Sequence, residues 1–261
     1  MSAEHLFNFG IYSGLSALAL FALMLVCQEL GHRMAMGKRS HGTQISQGLA
    51  VVESAAFGLL ALLLAFTFAS AASRFELRRQ QITEEANDIG TAWLRIDLLT
   101  AEAQPEMRNL FRQYVDARIA AFASLPDLAA FQREVDRAVG LQAPIWSGAV
   151  AATSGQGAPQ MLVLPALNQM FDMANTRTMS TRVHQPEAIF FLLVLLSLAC
   201  AFLAGYGMAD PAGRDWVHLI GFAAAIAVSV YIVYDLEYPR AGLIRLGDMD
   251  HVMISLRASM H

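Results

Sequence analysis

Four long stretches of this chain carry no Asp, Glu, Lys or Arg: Leu6–Gln28, Ser54–Ser73, Ala188–Ala209 and Val217–Tyr234. Each approaches the ~20 apolar residues that a helix needs to cross the hydrocarbon core of a bilayer. Inside lipid every backbone polar group must be satisfied within the protein, so a spanning segment is either a helix or a strand of a closed barrel. Barrel strands alternate apolar and polar residues, whereas these runs are continuously apolar. The expected fold class is therefore an all-α integral membrane protein with four transmembrane helices.

Only 15% of the residues are charged, against about 25% in a soluble domain, which fits a surface partly turned to lipid. The net charge of −4 comes with no basic tail, so no nucleic-acid partner is expected. Cys27 and Cys200 both fall inside apolar runs, which argues against a disulfide framework or a zinc site and for two small packing residues. The first apolar run is longer than the ~7–15 residues of a signal-peptide core and no positive charge precedes it, so it reads as a mature helix.

The spans divide the chain into residues 1–73 with the first two helices, a polar insert at 74–186, and residues 187–261 with the last two helices and a short tail. The first helix is expected from about Phe7 to Leu30, stopping near Gly31, with a polar link containing His32, Arg33, Lys38, Arg39 and His41. The second begins near Ser46 and runs on past the membrane, because Arg74–Arg79 contains neither Gly nor Pro. In the insert, Ile82, Ile89, Trp93 and Ile96 recur at helical spacing, and Pro105 marks a helix start. Met107, Leu110, Phe111, Tyr114, Val115 and Phe122 keep the same period, Pro126-Asp127 breaks it, and Leu128, Phe131 and Val135 resume it. Gly148–Pro159 reads as a loop and Met161–Arg182 as the last insert helix. Asp210–Asp215 predicts a tight turn and an antiparallel hairpin of the last two spans.

Four spans put the insert and both termini on one side. That side holds Arg74, Arg78, Arg79, Arg177, Arg182, Arg240 and Arg245, against Arg33, Lys38, Arg39 and Arg214 on the other. The excess of basic residues predicts a cytoplasmic insert.

No catalytic constellation emerges. Lys38 is the only lysine and no phosphate-binding loop surrounds it; there is no nucleophile elbow and no metal-ligand spacing. No enzyme activity, cofactor or metal is expected. Glu53, at the edge of the second span, reads as a headgroup-level acid. Glu84, Glu85, Asn87 and Asp88 follow that helix into water, and read as a solvated face, as interhelical caps of the arginines, or as a polar ion-binding ring around an axis.

The run Leu62–Glu76 resembles the second membrane helix of bestrophins, in which a Leu-Gly/Ala-Phe element is followed eight residues after its Phe by Arg-Trp; here Phe66 and Arg74-Phe75 keep the spacing. Glu85–Arg95, Tyr114–Arg118, Leu167–Met170 and Asp235–Ile244 are similar to the bacterial bestrophin-like family, once catalogued as a domain of unknown function. The resemblance implies a homopentameric channel of the bacterial inner membrane that conducts chloride or other small anions. Its pore would be lined by the second helix of each subunit. Carried over, the neck-facing residues are Gly58, Leu62 and Phe66, and the pore exit is Arg74, Arg78 and Arg79. Residues spaced four apart share one helix face, an apolar constriction gates by dewetting, and arginines past it would concentrate anions. The chain departs from the bestrophin pattern in having the small Gly58 in the neck line and Phe75 after the arginine. It also lacks an acidic calcium clasp, since Asp235 and Glu237 are too few ligands. The alternative is a non-conducting membrane scaffold or sensor whose insert binds a partner; a transporter would call for inverted repeats or broken spans, and neither is visible.

Overall fold

The structure, a computed structural model, describes residues 3–40, 47–210, 213, 215–239, 243–244 and 246–261, without the side chains of 3–13, 39–40, 47–49 and 247–249. The expected helix start at Ser46 falls outside the described residues. So do the link residues His41 and Gly42, part of the Asp210–Asp215 turn, and Arg214, Arg240 and Arg245. Among the described residues the fold is all-helical: α1 (Ala3–Ser40), α2 (Gln47–Leu94), α3 (Gln104–Ser124), α4 (Leu128–Thr153), α5 (Gly157–Ser180), α6 (Glu187–Gly207), α7 (Trp216–Glu237) and α8 (Gly247–Ser259), with a 3₁₀ turn at Arg95–Leu98. Four of them are long and apolar enough to cross a membrane: α1, α2, α6 and α7.

The chain forms two compact units, one of Met1–Phe7, Phe75–His184 and Pro239–His261, the other of Asn8–Arg74 and Gln185–Tyr238. In the second unit α6 and α7 run antiparallel: Phe190 at the start of α6 meets Tyr234 near the end of α7, with ring centroids 6.0 Å apart, and Ala201 and Ala223 share a core further along. The first helix does not stop at Gly31. That glycine sits inside α1, where a Cβ would overlap the backbone of Phe202 on α6; Gly205 on α6 likewise faces the backbone of Gln28. These glycines bring two membrane helices into close contact. Gln28 adds a hydrogen bond from its side-chain amide to the Leu219 carbonyl at 3.1 Å.

The other unit holds an aqueous-type core. Ile82, Ile89 and Ile96 from the α2 side, Phe111, Tyr114 and Val115 of α3, Ile145 of α4 and Leu167 and Met170 of α5 are all buried together. Pro105 lies in the first turn of α3, and Asp127 caps α4 by accepting from the Ala129 and Ala130 amides at 3.0 Å each. Gly148–Pro159 is not a loop: α4 continues to Thr153 and α5 begins at Gly157, leaving a break of three residues. The segment is rich in alanine, a strong helix former, and Gly148 lets the Met107 side chain approach α4 closely. Gly155, at φ 76°, supplies the left-handed residue that ends the helix. The tail forms a further helix, α8, which buries Met253 in this core, with Met260 following just past its end, and bonds Arg257 to Asp116 through two hydrogen bonds of 2.7 and 3.0 Å.

Candidate functional site

At 48 residues α2 is about 72 Å long, more than twice the ~30 Å of hydrocarbon it has to cross. A helix serving two environments shows its role in what each face meets. Leu60, Thr67, Ala71, Arg78, Ile82, Glu85 and Ile89 form a buried stripe that stays within about 30° of one direction along its whole length. Gly58, Leu62 and Phe66 lie on the opposite face. Leu62 is 52% exposed, Phe66 is 65% exposed, and a Cβ on Gly58 would meet nothing within 4 Å. The three neck candidates therefore share one outward apolar line.

The three arginines past this line do not form one cluster. Arg74 is held by Glu237, its Nε and Nη2 donating to both carboxylate oxygens at 2.9 to 3.1 Å. Its other donors meet Ser70 Oγ at 2.6 Å and Gln185 Oε1 at 3.0 Å. The Gln185 backbone N–H completes the buried Glu237 carboxylate at 2.7 Å. A forked arginine on a carboxylate is among the strong polar contacts, and here it staples α2 to the end of α7. Arg78 is buried and donates to the Val183 carbonyl at 2.8 Å. Arg79 is exposed and stands 3.7 Å from Glu76, a solvated pair of the kind that contributes little.

Glu84, Glu85 and Asn87 are also separated. Glu85 is fully buried and takes Arg118 Nε and Arg177 Nη1, each at 2.6 Å, on its two oxygens. Arg118 further donates to Thr178 Oγ1 and the Ala174 carbonyl at 3.0 Å each, and the Arg177 guanidinium lies 3.6 Å from the centre of the Phe122 ring. Burial by itself would favour loss of the Arg118 proton; Glu85 more than reverses this and raises its pKa. Glu85 thus pairs with arginines of α3 and α5. Asn87 and Glu84 are exposed, and Glu84 borders an open groove of about 420 Å³ with Asp88 on α2 and Asp172 on α5.

Arg118, Arg177 and Gln185 carry these networks, and the sequence by itself gives none of them a site role. A signal for Arg118 was present: it falls four residues after Tyr114 and four before Phe122, on the apolar stripe of α3. No group of three or more His, Cys, Asp or Glu among the described residues could hold a metal ion.

Comparison with known proteins places this arrangement. Curated proteins offer no match. Crystal structures of point variants of a bacterial bestrophin homolog from Klebsiella pneumoniae superpose with TM-scores of 0.70 and 0.66, at 11% and 12% identity, covering 94% of this chain and 98% and 97% of those chains. A crystal structure described as that of a membrane protein gives 0.67 at 13% identity, over 94% of this chain and 98% of that one. At such identities the likeness shows a shared fold. The family follows from the sequence itself, because the model of the bestrophin-like domain matches residues 18–248. With that match spanning nearly all of the four spans and the insert between them, this chain belongs to the bestrophin-like family.

Proposed function

We propose that the chain is the subunit of a bestrophin-like ion channel whose pore runs along the outward face of α2. The observation that carries this reading is the exposed line of Gly58, Leu62 and Phe66 opposite the buried stripe of the same helix. In a single subunit these residues have no protein partner to cover them. Around a symmetry axis, copies of the line would enclose a narrow apolar neck, which holds water poorly and gates by wetting and drying. The resemblance suggests five subunits, a bacterial inner membrane, and an insert and termini on the cytoplasmic side, and these belong to the proposal. It also suggests small anions as the permeant species, to which ring edges at Phe66 would present positive partial charge. The apolar neck does not by itself choose the sign of the ion. The exit arginines give an anion little support, since Arg74 is neutralised by Glu237 and Arg78 is buried on a carbonyl.

The test is current through a planar bilayer containing the purified oligomer, compared with Phe66→Ala. The variant should keep its oligomeric mass, since a side chain that is 65% exposed contributes within about 0.5 kcal/mol to subunit stability, while conductance or gating changes. Unaltered currents from the assembled variant would remove Phe66 from the neck. Silence from assembled wild-type protein would favour the scaffold.

A further inference from the structure

We propose that Glu53 is a proton-operated latch between α2 and α6: as a neutral acid it seats on the last turn of α6, and loss of its proton releases that end of the seam. The latch lies beyond the pore reading and does not depend on it. Glu53 is the only charged residue between Gln47 and Arg74. It stands seven residues before Leu60, two turns of helix less about 20°. It therefore continues the buried stripe of α2, on the face opposite Gly58, Leu62 and Phe66.

The stripe runs along α6 in antiparallel register. Glu53 lies against Gly207, the last residue of α6, and Leu60 clusters with Cys200, seven residues earlier. Further along α2, Arg74 bonds Gln185, just ahead of α6. The two ends of this seam differ. At one end Arg74 meets Glu237, and Glu237 also accepts from the Gln185 backbone N–H. At the other end Gly207 has no side chain, and the Glu53 carboxyl fills the space so closely that a Cβ there would overlap both of its oxygens. Glu53 Oε1 is buried and has no hydrogen-bond partner.

A carboxylate does not suit that seat. It would lose water at Oε1 without a compensating bond. It would also face the negative end of the α6 dipole, where the last carbonyls of a helix lack intrahelical partners. No cationic side chain among the described residues pairs with it: Lys38 at the end of α1 lies over the Tyr206 ring, 5.6 Å from its centre, and His218 at the start of α7 pairs with Asp215 at 2.6 Å. Tyr206 itself and Asp210, the other titratable groups at this end of α6, bring no positive charge. A carboxylic acid instead supplies an O–H donor, which a carbonyl of that last turn can accept. The proton is the ligand that satisfies this end of the seam.

Full-length wild type and Glu53→Gln, compared by thermal unfolding in detergent from about pH 5 to about pH 9, test the latch. Glutamine keeps the size and a hydrogen-bond donor but cannot ionise, and the other titrations cancel in the difference. Near the acid limit the two Tm values should be close. As pH rises wild type should fall behind, by about 3–5 °C for a tenfold preference of the seat for the neutral acid. In a Gly207→Ala background, where a methyl group occupies the seat, the gap should no longer depend on pH. A gap that is constant with pH in the Gly207 protein overturns the latch. A wild type that gains on the variant as pH rises means that the carboxylate is the stable species, held by a cation, and overturns it as well. Should Glu53→Gln fail to fold, a hydrophobic carbodiimide, which adds to protonated carboxyls, reads the wild type directly. Glu53 should be labelled at neutral pH while the solvated Glu76 is not, and no label at Glu53 overturns the proposal.

Discussion

The two units of this protein are held together by different physics. Around Phe111, Tyr114 and Ile145 the insert buries a continuous set of large apolar side chains from α2, α3, α4, α5 and α8. The membrane unit has only small clusters, such as Leu20, Met24, Ala201 and Ala223, or Leu60, Leu193 and Cys200. In water the removal of apolar surface drives packing. In lipid that drive is absent between helices, so close approach through small residues and a few strong polar contacts takes over. Gly31 and Gly205 between α1 and α6, the Gln28 amide on Leu219, and the Arg74–Glu237 fork are the contacts of that second kind. Each unit also buries an arginine–glutamate network, so charge burial does not distinguish them; what surrounds the charge does.

The comparison can be broken most sharply at Glu85. Glu85→Gln leaves Arg118 buried without its counter-charge and Arg177 with Asp250 at 3.5 Å, at a cost of about 3–5 kcal/mol. Thermal unfolding in detergent followed by fluorescence should show it, because the Trp93 side chain packs against this core. A change below about 1 kcal/mol would mean that the network adds specificity and not stability. Next in size is Gly205→Val, which forces α1 and α6 apart and should cost about 1–3 kcal/mol; the loss should appear in denaturation of the whole helical signal, with the Trp93 environment changed little. If the insert were lost together with it, the two units would be one cooperative body. Smallest is Asp116→Asn, which removes a half-exposed pair with Arg257 on α8. It should cost about 0.2–1 kcal/mol, decreasing in high salt.

Much of this architecture is legible in the sequence. The four uncharged runs, the helix start at Pro105, the break at Pro126-Asp127 and the apolar stripe of α3 are local signals, and the structure follows each of them. Glycine is ambiguous at two positions. Gly31 reads as a helix end and Gly148 as part of a loop, yet both lie inside helices where another chain segment approaches closely. A glycine that ends a helix and one that admits a neighbour look the same until the neighbour is known. The tail's helix, α8, is defined by what it packs against.

The sequence alone determined that this chain spans a membrane with helices, carries a helical insert and turns Gly58, Leu62 and Phe66 to one side of α2, because hydropathy and a 3.6-residue period act over short stretches of chain. Only the tertiary structure decided which charges are free. Arg74 finds its carboxylate 163 residues away and Arg177 finds Glu85 at a separation of 92. Residue type at one position does not say whether a charge will meet solvent or a partner folded in from elsewhere. For α2 that difference commits Arg74 and Arg78 to partners and leaves Glu84 exposed.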